Sequence, residues 1–496
     1  MNLLRPLANY AARVFALDVR PLALFRMALG GLLLVDLAVR ASDFSAMYAA
    51  DGFAPAEFVR AQIRDGQWSA YVWNGSSIYQ ASLQLLAGVA AAALLVGYRT
   101  RLATIASWLL LASLHVRLPI VVNAGDTLLR MLLFWSMFLP LGAAWSLDAR
   151  RRPSPSPSKI VSIATAALII QLSLIYWGAG IAKWNDSWLH GDALHSIFAY
   201  SLYSLPLGHW LHDYPDATRW LTWSVVCLEL LGPLLLFSPW ATAWLRIVAL
   251  AAFALFHVGI AATVTVGLFS YVAIAAWLAL IPSSFYRSGV RLADSEATTD
   301  SLNSQHPSPQ WLRLTGSTCC LLALLVVLVW NAVIFGPKAW RTSTDPRFVS
   351  AVRALGLHQT WGVFRRPTPQ DSWFVYEARL NDGRVIDLLT GQPARDYSRP
   401  TVATGNFPNH RWRKLHSQLR SYRATAYRQP VAEYMARRWN ASHADGEQIA
   451  ELHLYCYSQR IESTETDGDY VRQTLAQVSF GAKSGAFADA VRELDL

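Results

Sequence analysis

The residues of this sequence that could do chemistry are ionisable side chains placed in apolar segments. Lys183 ends an apolar run in "YWGAGIAKWNDSWLHG" (176–191), Glu229 lies within "CLELLGPLLLF", and His257 lies within "FALFHVGIAA". An ionisable group at bilayer depth costs roughly 2.5–3.5 kcal/mol on insertion scales, so each of the three needs a partner or a function. Together they predict an ionisable pocket inside a helix bundle, nearer its outer end.

Lys183 admits two interpretations. In the first, its ammonium group snorkels to the lipid headgroups, and Trp184 and Trp188 form an aromatic belt at the membrane surface. In the second, the side chain is partly buried, and the loss of solvation favours a neutral amine that can accept a proton. Two features favour the second: "GAG" at 178–180 lets helices approach closely, and the amphipathic segment after Lys183 could cover the site.

The other ionisable residues have structural interpretations as well. Glu229 is expected to be protonated, hydrogen-bonded between helices, or paired with a basic group. A lone helical histidine such as His257 is more often a packing residue than a ligand. Asp126 and Arg130 are spaced i,i+4 in "NAGDTLLRMLLFW", which predicts a salt bridge on one helix face.

The composition is that of a polytopic membrane protein. Of the 496 residues 53% are hydrophobic and 15% are charged, against roughly 25% charged in soluble domains. The basic residues behind the net charge of +10 cluster at helix ends, which indicates membrane topology rather than nucleic-acid binding.

The four cysteines have neither metal-ligand spacing nor a disulfide pattern, so no metal site is predicted. The first apolar stretch carries Arg26 and Asp36, which could be structural, and it lacks a signal-peptide cleavage site.

Nine membrane helices are predicted from apolar runs of about 18 or more residues. They are placed at 21–39, 78–97, 103–121, 126–146, 160–182, 218–238, 241–262, 266–285 and 314–336. Loops on one side carry few basic residues, namely Arg40, Arg60, Arg64 and Lys183. The positive-inside rule therefore places the N-terminus in the cytoplasm and the C-terminal residues outside. An Ala-, Leu- and Arg-rich chain without a sorting signal points to a bacterial cytoplasmic membrane.

The predicted fold is an all-α membrane bundle with a C-terminal α+β extracytoplasmic domain. Its parts are a cytoplasmic segment (1–20), an eight-helix membrane domain (21–285), a cytoplasmic linker (286–313), a ninth membrane helix (314–336) and the C-terminal domain (337–496). In that domain "WFVYEARLNDGRVIDLL" predicts a hairpin, because Asn-Asp-Gly joins two strand-like runs. "HRWRKLHSQLRSYRA" and "PVAEYMARRWN" predict helices, and "IAELHLYCYSQRI" and "DYVRQTLAQVSF" predict two more strands.

An ordered set of segments resembles the HTTM (horizontally transferred transmembrane) family, the bacterial relatives of the vitamin K-dependent gamma-glutamyl carboxylase. The resemblance begins with "LDVRPLALFRMALGGLLLVDL" at 17–37 and continues through "NAGDTLLRMLLFWSMFLPLG" at 123–142. It is sharpest in "YWGAGIAKWNDSWLHGDAL", "LELLGPLLLF" and "FHVGIAATVTVGLFSYVAIA". "NHRWRKL" and the segment around "GLHQTWGVFRRPTPQ" look like the outer domain of the bacterial branch.

The resemblance implies a reaction. In the carboxylase a lysine deprotonates vitamin K hydroquinone, and oxygen converts the hydroquinone to an epoxide through a strongly basic intermediate. That intermediate removes the γ-proton of a protein glutamate, to which carbon dioxide then adds. Lys183 falls on that lysine, His257 on a histidine and Glu229 on an aspartate, so all three are implied to be catalytic. The implied cofactor is reduced vitamin K or menaquinone, with O2 and CO2 as reactants.

The fourth predicted span departs from the family. The carboxylases have Trp-Asn-Asn-His there, and the Asn-His pair tunes the lysine, whereas this chain has Gly125 in the position of the histidine. Asp126 and Arg130 are hypothesised to replace its function or to define another chemistry. The residues expected to bind the cofactor are Trp184, Trp188, Asn123, Asp126 and Arg130.

Three functions are weighed. The leading hypothesis is a carboxylase-like membrane enzyme that couples oxidation of a reduced naphthoquinone to carboxylation of peptide or protein glutamate. The alternative is a non-catalytic quinone- or lipid-binding protein that acts through partners on its outer domain. A transporter is less favoured, because no inverted repeats or paired broken helices are evident. The expected partners are membrane lipids and a peptide or protein substrate, and no nucleic acid.

Overall fold

The computed structural model of the chain describes residues 4–152, 158–286, 310–394, 397, 399–400, 403–461 and 470–480. Most of the predicted linker 286–313 lies outside the described residues, as does the end of the predicted C-terminal domain, 481–496.

Helices dominate the first two thirds of the chain. They are α1 (Leu4–Val14), α2 (Val19–Ser42), α3 (Phe44–Met47), α4 (Ala56–Arg60), α5 (Ser77–Val96), α6 (Thr100–Arg117), α7 (Ala124–Ser136), α8 (Leu147–Arg150), α9 (Ile163–Ala182), α10 (Asp186–Leu189), α11 (Ala193–Phe198), α12 (Pro206–His212), α13 (Pro215–Leu231), α14 (Thr242–Thr263), α15 (Phe269–Leu278) and α16 (Gln310–Phe335). A short antiparallel pair, β1 (Leu17–Asp18) and β2 (Lys159–Ile160), joins the starts of α2 and α9.

Six helices of the described residues are long and apolar enough to cross a membrane, namely α2, α5, α9, α13 with its extension to Phe237, α14 and α16. Each of the nine predicted segments contains a helix, but nine spans are not confirmed. α7 has 13 residues and α15 has 10, about 20 Å and 15 Å in length against about 30 Å for the hydrocarbon core. α6 carries Arg101, His115 and Arg117. The chain is a multi-pass membrane protein in which shorter helices pack among the long ones.

Capping residues fix where the helices around the site begin. Asn123 and Asp126 form a capping box at the start of α7, and Ser162 and Thr165 form another at the start of α9. In each box two backbone N–H groups that lack a partner within the helix are satisfied by side chains. The starting points of these two helices are therefore set by local sequence.

The C-terminal part is an α+β domain, as predicted. Its helices are α17 (Lys338–Thr342), α18 (Pro346–Ala354), α19 (His410–Leu419) and α20 (Thr425–Asn440), and its strands are β3 (Gln370–Leu380), β4 (Val385–Asp387), β5 (Ile449–Arg460) and β6 (Val471–Ser479). The strands form one antiparallel sheet in the order β4-β3-β5-β6. The predicted hairpin, the two helices and the last two strands are all confirmed.

The C-terminal domain and the membrane domain share a hydrophobic core. Trp412 and Leu415 of α19 are buried in the same cluster as Phe53, Leu118 and Val121 of the membrane domain. The Phe53 and Trp412 rings lie 6.2 Å apart, centroid to centroid. The apolar face of α19 is therefore buried against membrane-domain loops, which fixes the position of the neighbouring residues on that helix.

Candidate active site

Lys183 and Glu229 form a buried ion pair. The Nζ atom of Lys183 lies 2.7 Å from each carboxylate oxygen of Glu229. Lys183 is 5% exposed and Glu229 is 4% exposed. The snorkelling interpretation of Lys183 is wrong, because its ammonium group is directed at a carboxylate inside the protein. Of the alternatives expected for Glu229, the structure therefore shows pairing with a basic group.

Two glycines of α9 allow neighbouring helices to approach it closely. Lys183 is the C-terminal cap of α9, and Glu229 lies on α13. A Cβ atom on Gly180 would lie 2.7 Å from the Leu230 side chain, so only glycine allows α9 to approach α13 this closely. A Cβ on Gly178 would clash with the ring of Phe335 on α16. The close helix approach predicted for "GAG" is therefore seen on both sides of α9.

The segment after Lys183 covers the pair. Lys183 Nζ lies 5.0 Å from the centroid of the Trp188 ring, at cation–π distance. Trp188 is buried, and its Nε1 donates to the carbonyl oxygen of Phe364 at 3.0 Å. Asn185 donates to the carbonyl oxygen of Arg365 at 2.9 Å. Trp184, in contrast, is 69% exposed and takes no part in this cover.

His257 is buried beside α9 and does not contact Lys183 or Glu229. Its Nε2 lies 2.9 Å from the hydroxyl of Tyr176, and that hydroxyl accepts from Trp277 Nε1 at 2.8 Å. The Tyr176 hydroxyl therefore links the His257 and Trp277 rings in one buried chain of hydrogen bonds. Tyr176 precedes Lys183 by seven residues, about 10 Å along the axis of α9. The structure pairs two of the three predicted catalytic residues, whereas the third is hydrogen-bonded to Tyr176 instead.

The predicted salt bridge between Asp126 and Arg130 is wrong. Arg130 instead donates to the carbonyl oxygen of His358 at 2.6 Å. Asp126 accepts from Arg40 at 3.2 Å and from Arg411 at 2.9 Å. Two arginines from other elements neutralise the carboxylate, so the i,i+4 spacing within α7 does not decide its partner.

Asp126 belongs to a buried cluster of four charged side chains. It consists of Asp36, Arg40, Asp126 and Arg411, all at most 5% exposed. Arg411 on α19 binds both aspartates, and Arg40 Nε binds Asp36 at 2.8 Å. Arg26, the other ionisable residue of α2, donates to three backbone carbonyls and is structural. Because two acids face two arginines, the four-charge cluster is neutral and couples the C-terminal domain to α2 and α7.

The structure leaves no room for a side chain at Gly125, the position where the resemblance to the carboxylases implies a histidine. A Cβ atom on Gly125 would lie 2.8 Å from both the Cα and the N atom of Phe269. Backbone cannot yield as a flexible side chain does, so a histidine would displace the start of α15. Asn123, in the same motif, uses its side chain to cap α7, accepting from the Asp126 N–H at 3.1 Å.

A cavity of about 780 Å³ lies between the membrane domain and the C-terminal domain. Asn123 and Arg130 line it, whereas Asp126, Trp184 and Trp188 do not. Ile181 and Ala182, which directly precede Lys183, also line it. The cavity thus reaches the residues next to the ion pair, and its size is that of a site for a small organic ligand.

The cavity is also lined by three histidines that were not predicted from the sequence as site residues, namely His115, His358 and His410. Burial lowers the pKa of His410 to about 4, and burial together with Arg130 lowers the pKa of His358 well below its usual value. Both rings are therefore neutral at pH 7. Within the described residues, no group of three or more His, Cys, Asp or Glu side chains is arranged to hold a metal ion.

Arg411 and Arg413 of "NHRWRKL" were also missed as site residues. Two arginines spaced i,i+2 in an amphipathic helix are a weak signal, since most such residues are solvated. Their partners and surroundings lie in the membrane domain, as the contact of Arg411 with Asp126 shows.

The comparison with known families identifies the membrane domain. A family model described as HTTM domain matches residues 16–284, more than half of the chain. This range includes Lys183, Glu229 and His257, while the C-terminal α+β domain lies beyond it. No curated protein and no solved structure matches the chain. The chain therefore belongs to the HTTM domain family.

Proposed function

We propose that this protein is a membrane enzyme of the gamma-glutamyl carboxylase type, in which the Lys183–Glu229 pair takes up the proton of a reduced naphthoquinone. The observation that carries the proposal is the buried ion pair itself, next to a cavity of about 780 Å³. A buried pair of this kind costs desolvation energy that an apolar pair would avoid. Strongly coupled acid–base groups beside a ligand-sized cavity are typical of catalytic sites.

The pair can take up one proton, and the anion of the deprotonated quinol then balances the charge that the pair has gained. Transfer of one proton from Lys183 Nζ to a Glu229 carboxylate oxygen, 2.7 Å away, yields a neutral amine and a neutral acid. Lys183 then accepts a proton at Nζ and becomes an ammonium group again, while Glu229 stays protonated. One proton has been gained overall, and Trp188 stabilises the ammonium group through its ring.

The cavity fits a naphthoquinone headgroup. Phe269, Phe335 and Trp361 provide flat or apolar walls, and Asn123 and Arg130 provide polar groups that could orient ring oxygens. Reduced menaquinone or vitamin K would supply the reducing equivalents and, on oxidation by O2, the strong base that removes a glutamate γ-proton. His257 acts indirectly in this proposal, by fixing Tyr176 and hence the end of α9 through the hydrogen bond to its hydroxyl.

The substrate in this proposal is a glutamate-containing peptide or protein, and CO2 forms the new carbon–carbon bond. The C-terminal domain, placed outside a bacterial cytoplasmic membrane, would present that substrate. The shared core of the two domains supports this role, because it holds α19 against the cavity.

A second candidate is a non-catalytic protein that binds a quinone or a lipid and acts through partners. Its support is the completeness of the ion pair, since both carboxylate oxygens of Glu229 already accept from Lys183. A satisfied pair of this kind also suits a purely structural role.

One experiment separates the two candidates. Purified protein is mixed with reduced menaquinone, O2, labelled bicarbonate and a glutamate-rich peptide, and both quinone epoxide and peptide-bound label are measured. The enzyme hypothesis predicts epoxide and label together. Epoxide without label would overturn carboxylation but not quinol oxidation. Neither product, from folded protein that binds the quinone, would favour the non-catalytic candidate.

A further inference from the structure

The wall of the cavity is strongly basic. Arg130, Arg341, Arg365, Arg413 and Lys414 line it, and no aspartate or glutamate is among its described lining residues. This differs from the neighbouring sites of the protein. The ion pair and the four-charge cluster each balance their arginines or lysine with carboxylates, whereas the wall of the cavity does not.

Arg413 is buried without a carboxylate partner. It is 4% exposed, and its Nη1 atom has no hydrogen-bond partner in the described part of the chain. Its guanidinium lies 4.6 Å from the centroid of the Tyr203 ring. Stacking on an aromatic face orients the guanidinium but leaves its N–H donors free. An unpaired buried cation is costly, so a bound anion is the natural way to satisfy it.

Arg130, in the membrane domain, is in the same situation as Arg413. It is 2% exposed, donates to the carbonyl oxygen of His358, and has an Nε atom without a partner among the described residues. His358 and His410, neutral at pH 7, add further polar atoms without such a partner. The residues of both domains that carry these unsatisfied polar atoms thus line one cavity.

One part of the wall is apolar and belongs to the membrane helices. Ile181 at the end of α9 and Ile334 and Phe335 at the end of α16 line the cavity. Ile181 is 48% exposed, so this side of the cavity is next to the outer surface of the helix bundle. A ligand that matches both walls has an anionic group and an apolar part.

We propose that this cavity binds a phosphate-bearing ligand, with Arg413 and Lys414 of α19 holding the phosphate and the ends of α9 and α16 contacting its apolar part. Five cationic residues exceed what one carboxylate needs, whereas a phosphate carries more charge and more acceptor oxygens. Arginine also matches phosphate geometry with two parallel donors. The phosphate belongs to a lipid headgroup or to a free phosphate compound, and the inference does not depend on the proposed carboxylation.

Binding of two probes to the purified full-length protein tests the proposal and separates the sources. The probes are pyrophosphate in solution and phosphatidic acid at a set fraction in phosphatidylcholine nanodiscs, with pure phosphatidylcholine as the blank. Binding of either probe supports the proposal and identifies the source. Binding of neither probe overturns it, as does a glutamate peptide that binds where both phosphates fail.

Substitutions of single residues test where in the cavity the phosphate binds. Lys414→Gln and Arg413→Gln should each weaken binding of the active probe by about tenfold or more, whereas Arg413→Lys should retain part of it. The matched control is Arg423→Gln, an exposed arginine of the same domain outside the cavity. Lys414 is only half-buried, so its variant remains informative if Arg413→Gln does not fold. Equal loss in Lys414→Gln and Arg423→Gln would overturn the assignment.

Discussion

The ammonium group of Lys183 lies 2.7 Å from both carboxylate oxygens of Glu229, although the two residues are 46 positions apart in the chain. The pair is closed off by Trp188 and by the backbone at Phe364 and Arg365. The ion pair and the residues that cover it thus come from three segments that are separated in the chain. Its behaviour under mutation separates a structural from a catalytic role.

Removing one partner of the pair should cost more stability than removing both. Lys183→Met leaves the Glu229 carboxylate buried without a cation, and a broken buried pair typically costs about 3–5 kcal/mol. Lys183→Met combined with Glu229→Leu should recover most of that loss, because two apolar side chains replace two charges. Thermal unfolding of the purified variants measures this. A double variant less stable than Lys183→Met would contradict the account of the pair.

Adding a methyl group at Gly180 should separate α9 from α13. Its Cβ would lie 2.7 Å from the Leu230 side chain, so Gly180→Ala is expected to destabilise the protein by about 1–3 kcal/mol through overpacking. Gly88→Ala on α5 is the matched control, since nothing lies within 4 Å of its Cβ. That variant should be neutral or more stable by up to about 1 kcal/mol. Equal melting temperatures for the two variants would argue against close helix contact at Gly180.

Arg411 should be needed for docking of the C-terminal domain. Arg411→Ala leaves Asp36 and Asp126 with Arg40 as their remaining arginine partner, and the uncompensated charge should cost about 3–5 kcal/mol. Hydrogen exchange of α19 is expected to rise strongly in this variant and to stay unchanged in Arg423→Ala. Unchanged protection of α19 in Arg411→Ala would show that the shared apolar core alone holds the domains together.

The C-terminal domain should lose stability as the pH falls from 6.5 towards 4. Burial lowers the pKa of His416 from 6.5 to about 4. Its neutral ring accepts from the Tyr376 hydroxyl at 2.9 Å and donates to the carbonyl of Trp412 at 2.7 Å. In this pH window only the unfolded chain takes up the His416 proton, so the contribution of His416 to stability is complete above pH 6.5 and falls by about 1.4 kcal/mol for each pH unit below it.

Hydrogen exchange of β3 and β5 across this pH range measures the effect. His416→Phe should reduce the pH slope while lowering stability at pH 8, because Tyr376 loses its acceptor. His443→Gln, on α20's C-terminal side, serves as the control. A slope that is the same in His416→Phe and in the native protein would remove His416 as its source.

Local patterns in the sequence were sufficient for the long helices and for the strands of the C-terminal domain. Apolar runs, the Asn-Asp-Gly turn and the alternating segments predicted helices and strands because each depends on neighbouring residues. Apolarity alone predicted nine spans, of which six correspond to helices of the described residues that are long and apolar enough to cross a membrane.

Partners distant in the chain could not be predicted. The i,i+4 spacing suggested Arg130 for Asp126, but Arg40 and Arg411 approach it from α2 and α19. Likewise, only the structure shows that Phe269 backbone fills the space next to Gly125. Both outcomes depend on tertiary packing rather than on spacing within one helix.

The most direct test of the central claim is the rate of epoxide formation from reduced menaquinone by the Lys183 variants. Lys183→Ala, and Lys183→Met with Glu229→Leu where the single variant unfolds, should lower this rate by about 100-fold or more. The exposed Lys159→Ala should leave it unchanged. Wild-type rates of epoxide formation in folded Lys183 variants would contradict the assignment of Lys183 as the base.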